Sequence, residues 1–478
     1  MNWETIIGLE VHVELDTKTK IFCNCPTTFG SPPNRNTCPV CLGLPGTLPV
    51  LNEAVVEMAV KAGLALNCEI QRTNKMDRKN YFYPDLPKAY QISQYDLPIC
   101  TGGYVEIASG EEVKRVRVHR IHIEEDAGKL LHDEEDPVSF IDYNRVGVPL
   151  IEIVSEADMR SPEEAVAYLK AVRSILQYAG VSDCRMEQGS LRCDGNISVR
   201  PYGQDHFNAK VELKNINSFK ELQKALEKEE KRQLELYSFN EGEKVVQETR
   251  RWDAAKGRTI SMRTKEDAHD YRYFPEPDLK PVYIEEELIN KMERQLPELP
   301  DEKSRRFLKT YGLTPKEVEI LVGEMALSQF YEEVVESGAD PKASANWILG
   351  DFLRSMKEME LTAEEQPLKA EDLAKLIELI EKGTISGTAG REVFDEMMET
   401  GKPPEKIIQE KGLKQISGQD ELQAIIEKVI AENPASVEDF KSGKKQAIGF
   451  LMGQVMKASK GQANPQVAKS MLEETLID

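Results

Sequence analysis

The sequence predicts an α+β protein: a β-rich first domain over residues 1–293, an all-α domain over 294–362 and an all-α tail over 363–478. Three observations carry this reading. Segments alternating with a period of two fill the first part, among them "VRVHRIHIEED", "SFIDYN", "LRCDGNISVRP" and "AKVELKN". Prolines crowd "YFPEPDLKP" and "LPELPDE", where that alternation stops. Beyond them, "TPKEVEILVGEMALSQFYEEVV", "LKAEDLAKLIELIEKG", "DELQAIIEKVIAENP" and "KKQAIGFLMGQVMKASKG" space their apolar residues as helices do. The 478 residues suit about three domains at one per ~150.

The first element is "IGLEVHVEL", residues 7–15. As an extended strand it puts Leu9, Val11 and Val13 on one face and Glu10, His12 and Glu14 on the other. A solvated sheet edge and a functional face both satisfy this pattern. Two later segments favour the second. "RIHIEEDAGK" sets Glu124, Glu125 and Asp126 where a strand gives way to a turn. "VPLIEIVSEAD" surrounds Glu152 with Leu150, Ile151, Ile153 and Val154, where an unpaired carboxylate is costly, so a positive group is expected beside it. "LRCDGNISVR" then aligns Arg192, Asp194, Asn196, Ser198 and Arg200 on one face. The main helix of this domain is expected over "SPEEAVAYLKAVRSILQYAG", with Ser161 as cap, Pro162 first, acids in the first turn and Gly180 as terminator.

Several acids and an imidazole on strands of one domain suit a divalent cation, Mg or Mn by the oxygens, Mn or Zn by the imidazole. "DRKNYFYPDLPKAYQISQYD" packs Lys79, Tyr81, Tyr83, Lys88 and Tyr90 closely, as a core or as a pocket for an anion or nucleotide ring. "CNCPTTFGSPPNRNTCPVC" joins CxC and CxxC pairs through Cys23, Cys25, Cys38 and Cys41, a tetrathiolate spacing for structural zinc; free thiols are the alternative. Lys441, Lys444, Lys445, Lys457, Lys460 and Lys469 follow one another with no acid between them. That run is a solvated helix face or a phosphate-binding patch.

Composition removes other classes. A net charge of −21 opposes a surface that binds nucleic acid everywhere, so any such contact is local. GxxxxGK[ST] is absent, so an ATP site needs another scaffold. The N-terminus carries acids and no basic leader, no run approaches the ~20 apolar residues of a membrane span, and eight clustered cysteines form no disulfide framework. A soluble, cytoplasmic protein is expected.

In order along the chain, "IGLEVHVEL", "DRKNYFYPDLPKAYQISQ", "HIEEDAGK", "GVPLIEIVSEADMRSPEEA", "EQGSLRCDGNISVRP", "DYRYFPEPDL" and "GFLMGQVMKASKGQANP" resemble the B subunits of bacterial tRNA-dependent amidotransferases. The chain lacks the synthetase-like insertion of the archaeal E type. The resemblance implies an ATP-dependent carbon–nitrogen ligase with glutamine as amido donor. ATP with Mg phosphorylates the side-chain carboxylate of mischarged Glu-tRNA(Gln) or Asp-tRNA(Asn), and ammonia then displaces phosphate to give Gln-tRNA(Gln) or Asn-tRNA(Asn). It implies a heterotrimer with a glutaminase A subunit, which supplies the ammonia, and a small C subunit. The first domain becomes a cradle holding the kinase and transamidase site, and the tail contacts tRNA through Lys444, Lys445, Lys457 and Lys460. Glu10, His12, Glu125, Glu152 and Asp194 are implied to gather Mg, with Glu125, Lys79 and Lys88 catalytic. Tyr81, Tyr83 and Tyr90 are implied to line the cofactor pocket and, with the lysines, the ammonia path. The cysteine quartet matches a structural zinc site of part of the family. The chain shows no glutaminase signature of the Ser-Ser-Lys kind. A metal-dependent hydrolase and a tRNA-binding scaffold are the rival readings.

Overall fold

The computed structural model describes residues 2–110, 112–132, 138–264, 270–363, 365–413, 419–442, 444, 446–459, 463 and 465–477. It is an α+β chain of two compact units, Met1–Lys303 and Ser304–Asp478.

The first unit is organised by a ten-stranded sheet. Its central strand is the opening segment, Trp3–Glu14, paired antiparallel with Pro149–Ser155 on one side and Leu191–Pro201 on the other. Glu112–Glu125 lies outside Pro149–Ser155, and Val211–Lys214 outside Leu191–Pro201. Alternation divides the central strand as expected. Leu9, Val11 and Val13 are fully buried in the main core, which includes Tyr168, Leu169 and Val172 of the helix Pro162–Tyr178 and Leu222 and Leu226 of the helix Phe219–Ser238. That apolar cover holds the strands in register, because a slip of one residue would turn every acid into the core.

The helix Pro162–Tyr178 begins and ends as its sequence predicts. The Ser161 hydroxyl accepts from the Glu164 N–H, and Gly180 takes the left-handed conformation (φ +64) that stops the helix. The expected domain edge at 293 falls inside the helix Glu286–Gln295. Met292 of that helix is buried in the first unit's core and Lys291 pairs with Glu57 at 2.6 Å, so the first unit continues to Lys303.

In the second unit, the single helix expected from Thr314 onward is two. Thr314 and Glu317 form a capping box for Pro315–Gly323, and after Gly323 the backbone is extended at Glu324 before Met325–Glu336 begins. Helix Ala370–Glu381 packs on Met325–Glu336, which ties together the stretches expected as separate domains at 294–362 and 363–478. The last helices, Gln419–Glu432, Ala447–Ala458 and Pro465–Ile477, enclose their own core of Leu422, Ile426, Leu451, Val455 and Leu472. Among the described residues no helix is long and apolar enough to cross a membrane.

Candidate active site

The polar face of the central sheet carries two groups of possible cation ligands, and the strand register explains both. Glu152 lies opposite His12 on one side and His122 on the other, while Glu10 lies opposite Asp194. With Glu124 from the end of Glu112–Glu125 and Glu212 from Val211–Lys214, this gives His12–Glu124–Glu152 and Glu10–Asp194–Glu212, the ligand atoms of each lying within 4.8 Å of one another.

Glu124 and Glu152 of the first group are buried, His12 is partly exposed, and positive charge surrounds them. His122 Nε2 is 2.9 Å from Glu152 and 3.0 Å from Glu124, and His12 Nε2 is 3.6 Å from Glu152. These imidazoles are the positive partners that the apolar setting of Glu152 requires. Ser93 donates to Glu124 at 2.7 Å and Gln91 at 3.2 Å, with Lys79 Nζ at 3.8 Å. Burial works against charge on every member, and the opposite charges outweigh it. Glu124 is held down at about 2 against burial by Lys79 and His122, and Glu152 is held well below the usual range against burial by His122 and His12. Burial would lower both histidines, yet Glu152 and Glu124 raise them, His122 to about 9.

In the second group the compensation comes from Lys214, which donates to Asp194 at 2.6 Å and meets Glu212 at 3.1 Å. Asn196 donates to Glu10 at 2.9 Å. Burial, and then the charge of Glu152, raise the Glu10 carboxyl above its ordinary value. Both donor sets fit Mg or Mn.

The resemblance implied Glu125 among the cation ligands; the strand places Glu124 beside His12 and Glu152 and sends Glu125 elsewhere. Consecutive strand residues face opposite ways, so Glu124 joins His12 and Glu152, whereas Glu125 pairs with Lys88 and accepts from the Ile92 N–H at 2.8 Å. Lys79 and Tyr81 stay near the first group. The Lys79 ammonium lies 5.2 Å from the Tyr271 ring, Tyr81 meets Tyr271 edge-on at 5.9 Å, and Tyr273 stacks on Tyr95 at 4.3 Å. Burial opposes charge on Lys79, but Glu124 and the surrounding acids and phenols raise it well above its ordinary value. Tyr90 stands instead with Lys88 and Arg78, whose guanidinium lies 4.3 Å from its ring. Tyr83 is half-exposed and makes no side-chain hydrogen bond or ring contact among the described residues.

Sequence reasoning missed His122, Glu212, Lys214, Tyr271 and Tyr273. His122 and Glu124 sit two apart on an alternating strand, as do Glu212 and Lys214 in "VELK", and that spacing was the available signal.

Cys23, Cys25, Cys38 and Cys41 converge with their sulfurs within 4.8 Å, from two turns of one loop. This donor set fits a tetrahedral zinc ion. The Cys23 hydrogen bond, opposed by burial and aided by Cys38 and Lys20, brings Cys41 down to about 5, while burial and Cys38 push Cys25 up to about 11. In the tail, Lys444 pairs with Asp439 at 2.8 Å and Lys457 is exposed. Lys445 and Lys460 lie outside the described residues.

The family model described as the GatB/GatE catalytic domain matches residues 5–290, and that described as the GatB domain matches 329–476. The chain is 63% identical over 478 residues to a B subunit of the aspartyl/glutamyl-tRNA(Asn/Gln) amidotransferase of Clostridium acetobutylicum, covering 100% of both chains. It is 63% identical over 479 residues to the like-named B subunit of Clostridium beijerinckii, and 58% over 476 residues to that of Thermoanaerobacter pseudethanolicus, with 100% of both chains covered in each case. The acids gathered on the central sheet fall inside the matched catalytic domain, and the chain belongs to the GatB family, the B subunits of aspartyl/glutamyl-tRNA(Asn/Gln) amidotransferases.

Proposed function

We propose that this chain is the cytoplasmic B subunit that activates the side-chain carboxylate of Glu-tRNA(Gln) or Asp-tRNA(Asn) with ATP and amidates it with ammonia from a separate glutaminase A subunit, a small C subunit completing the heterotrimer. The observation that carries this reading is the pair of cation-fitting acid groups side by side on one sheet face. His12, Glu124 and Glu152 would hold one divalent ion, and Glu10, Asp194 and Glu212 a second. A bound cation supplies the charge that lets two anions, carboxylate and γ-phosphate, approach each other. Lys79 keeps a positive charge beside the first group and would meet the phosphate oxygens of ATP there. Tyr81, Tyr271 and Tyr273 stand around Lys79 and would face the nucleotide, as Tyr83 would by resemblance. Lys88, Glu125 and Tyr90 lie on the path of ammonia, and the cysteine quartet holds a structural zinc.

The test is ADP release by the reconstituted heterotrimer with each mischarged tRNA. ADP should appear with Glu-tRNA(Gln) or Asp-tRNA(Asn) and not with correctly charged tRNA. With free ammonium, this chain and the small C subunit alone should form the amide. ATP-independent hydrolysis of the aminoacyl-tRNA would establish the hydrolase reading instead.

The tail is assigned to tRNA through Lys444, Lys445, Lys457 and Lys460. Replacing these four by Ala should weaken tRNA binding and reduce the slope of log K against log salt by roughly 0.7 to 0.9 for each phosphate no longer neutralised. An unchanged slope places the grip elsewhere.

A further inference from the structure

The cysteine loop and the Lys88–Glu125 pair line one small cavity together. Its lining includes Cys41, Gly43, Leu44, Lys88, Glu125 and Gly147. The Lys88 side chain is 9% exposed and Glu125 2%, so their geometry is set by what packs around them.

On the loop side the packing is tight at one residue. Gly43 closes the turn after Cys41, with its N–H bonded to the Val40 carbonyl at 3.0 Å and a φ of +64. A Cβ at position 43 would stand 2.3 Å from Lys88 Cγ, 3.2 Å from Cδ and 3.3 Å from Cβ. These are the inner atoms of the lysine, so the tip cannot swing aside to relieve the collision. The loop that carries Gly43 is itself anchored. Lys20 is fully buried, with Nζ 3.7 Å from Cys41 Sγ and 3.4 Å from the Tyr143 carbonyl, and the Lys20 N–H is bonded to the Cys25 carbonyl at 2.9 Å.

We propose that Gly43 is a positioning residue: by lacking a Cβ it lets the cysteine loop seat Lys88 against Glu125, and this seating serves the ammonia-dependent second step rather than phosphoryl transfer. The role given to the second step rests on the function proposed above; the seating does not.

The experiment separates the two. Gly46 also has positive φ (+85) but has no atom within 4 Å of the place its Cβ would occupy, so Gly46→Ala carries the backbone strain without the collision. In the heterotrimer, Gly43→Ala should lower the thermal midpoint by several degrees more than Gly46→Ala. That excess should largely vanish in a Lys88→Ala background, where Cγ and Cδ, the two nearest atoms, are gone and only Cβ remains. If Gly43→Ala fails to fold, the Gly43→Ala/Lys88→Ala double variant should recover; a double variant that also fails, or an excess shift that persists beside Lys88→Ala, overturns the seating. The functional half is read as amide formed per ADP released on the mischarged tRNA. The ratio should fall about tenfold in Gly43→Ala, in line with small misplacements at reacting centres, and stay unchanged in Gly46→Ala. A restored midpoint with an unchanged ratio overturns the role of this pair in amidation while leaving the seat intact. Absence of ADP release from the wild-type complex would instead overturn the proposed function.

Discussion

The two acid groups leave the same strand two residues apart, yet the protein neutralises them by different means. Glu124 and Glu152 are met by the buried His122, the partly exposed His12 and Lys79, and both carboxylates are held charged far below the usual carboxylate range. Glu10, Asp194 and Glu212 are met by Lys214 and an amide; burial and Glu152 raise the Glu10 carboxyl, while Lys214 and Thr249 lower that of Glu212 against burial. The lesson is electrostatic. The carboxylates of the first group are held ionised against burial by imidazole and ammonium charges, and the same pairing raises His12, which binds a cation only as the neutral imidazole. The first group therefore draws its compensation from imidazoles and Lys79, and the second from Lys214.

The largest effect should come from removing one charge from each group. Glu152→Gln should lower tRNA-dependent ADP release ~100-fold or more, and Glu124→Gln should behave alike, as expected for losing an electrostatic partner at a reacting centre. Asp194→Asn should cost about tenfold, since Lys214 and Glu212 remain. Equal losses in the two groups would break the comparison. An undiminished rate in Glu124→Gln, with a steep loss in Glu125→Gln, would return the ligand role to Glu125.

A second test uses pH on protein free of Mg and Mn. His122 rises in the folded state from 6.5 to about 9, so its stabilisation is complete below pH 6.5 and is lost as pH climbs through about 9. Glu124 falls from 4.5 to about 2, so its stabilisation is present above pH 4.5 and is lost as pH drops toward 2. The thermal midpoint should therefore decline between pH 6.5 and 9, by a stability change on the order of 3 kcal/mol at most. His122→Gln should flatten that decline, while Asn196→Ala, beside the second group, should leave it in place. A decline that persists unchanged in His122→Gln would remove the imidazole from the account.

The smallest effect on phosphoryl transfer sets the baseline for both. Cys38→Ser should abolish binding of about one zinc and lower the thermal midpoint, yet change ADP release by less than about twofold. Native protein that contains no zinc would refute the clip. A steep fall in ADP release would join the cysteine loop to the acid groups.

Much of the site was legible because strand alternation is a local property. The two faces of "LEVHVEL" follow from the pleat alone, and Leu9, Val11 and Val13 turn inward as the pattern requires. The cap at Ser161 and the stop at Gly180 are equally local. The break after Gly323 was hidden because the apolar spacing continues across it. The helix Glu286–Gln295 was placed at the edge of its domain because only packing shows that Met292 belongs to the first core.

The sequence by itself determined which residues could serve: the alternating acids with His12, the four cysteines in paired spacing and the lysine run without acids. The tertiary structure decided which of them meet. Glu124 and Glu125 are adjacent in the chain and chemically alike, and a strand must send them opposite ways, one to His122 and Glu152 and the other to Lys88. That choice depends on the registers of Glu152 with His12 and His122, which are set by apolar packing on the far face of the sheet. Local sequence encodes alternation, but only long-range pairing assigns each side of the alternation a partner.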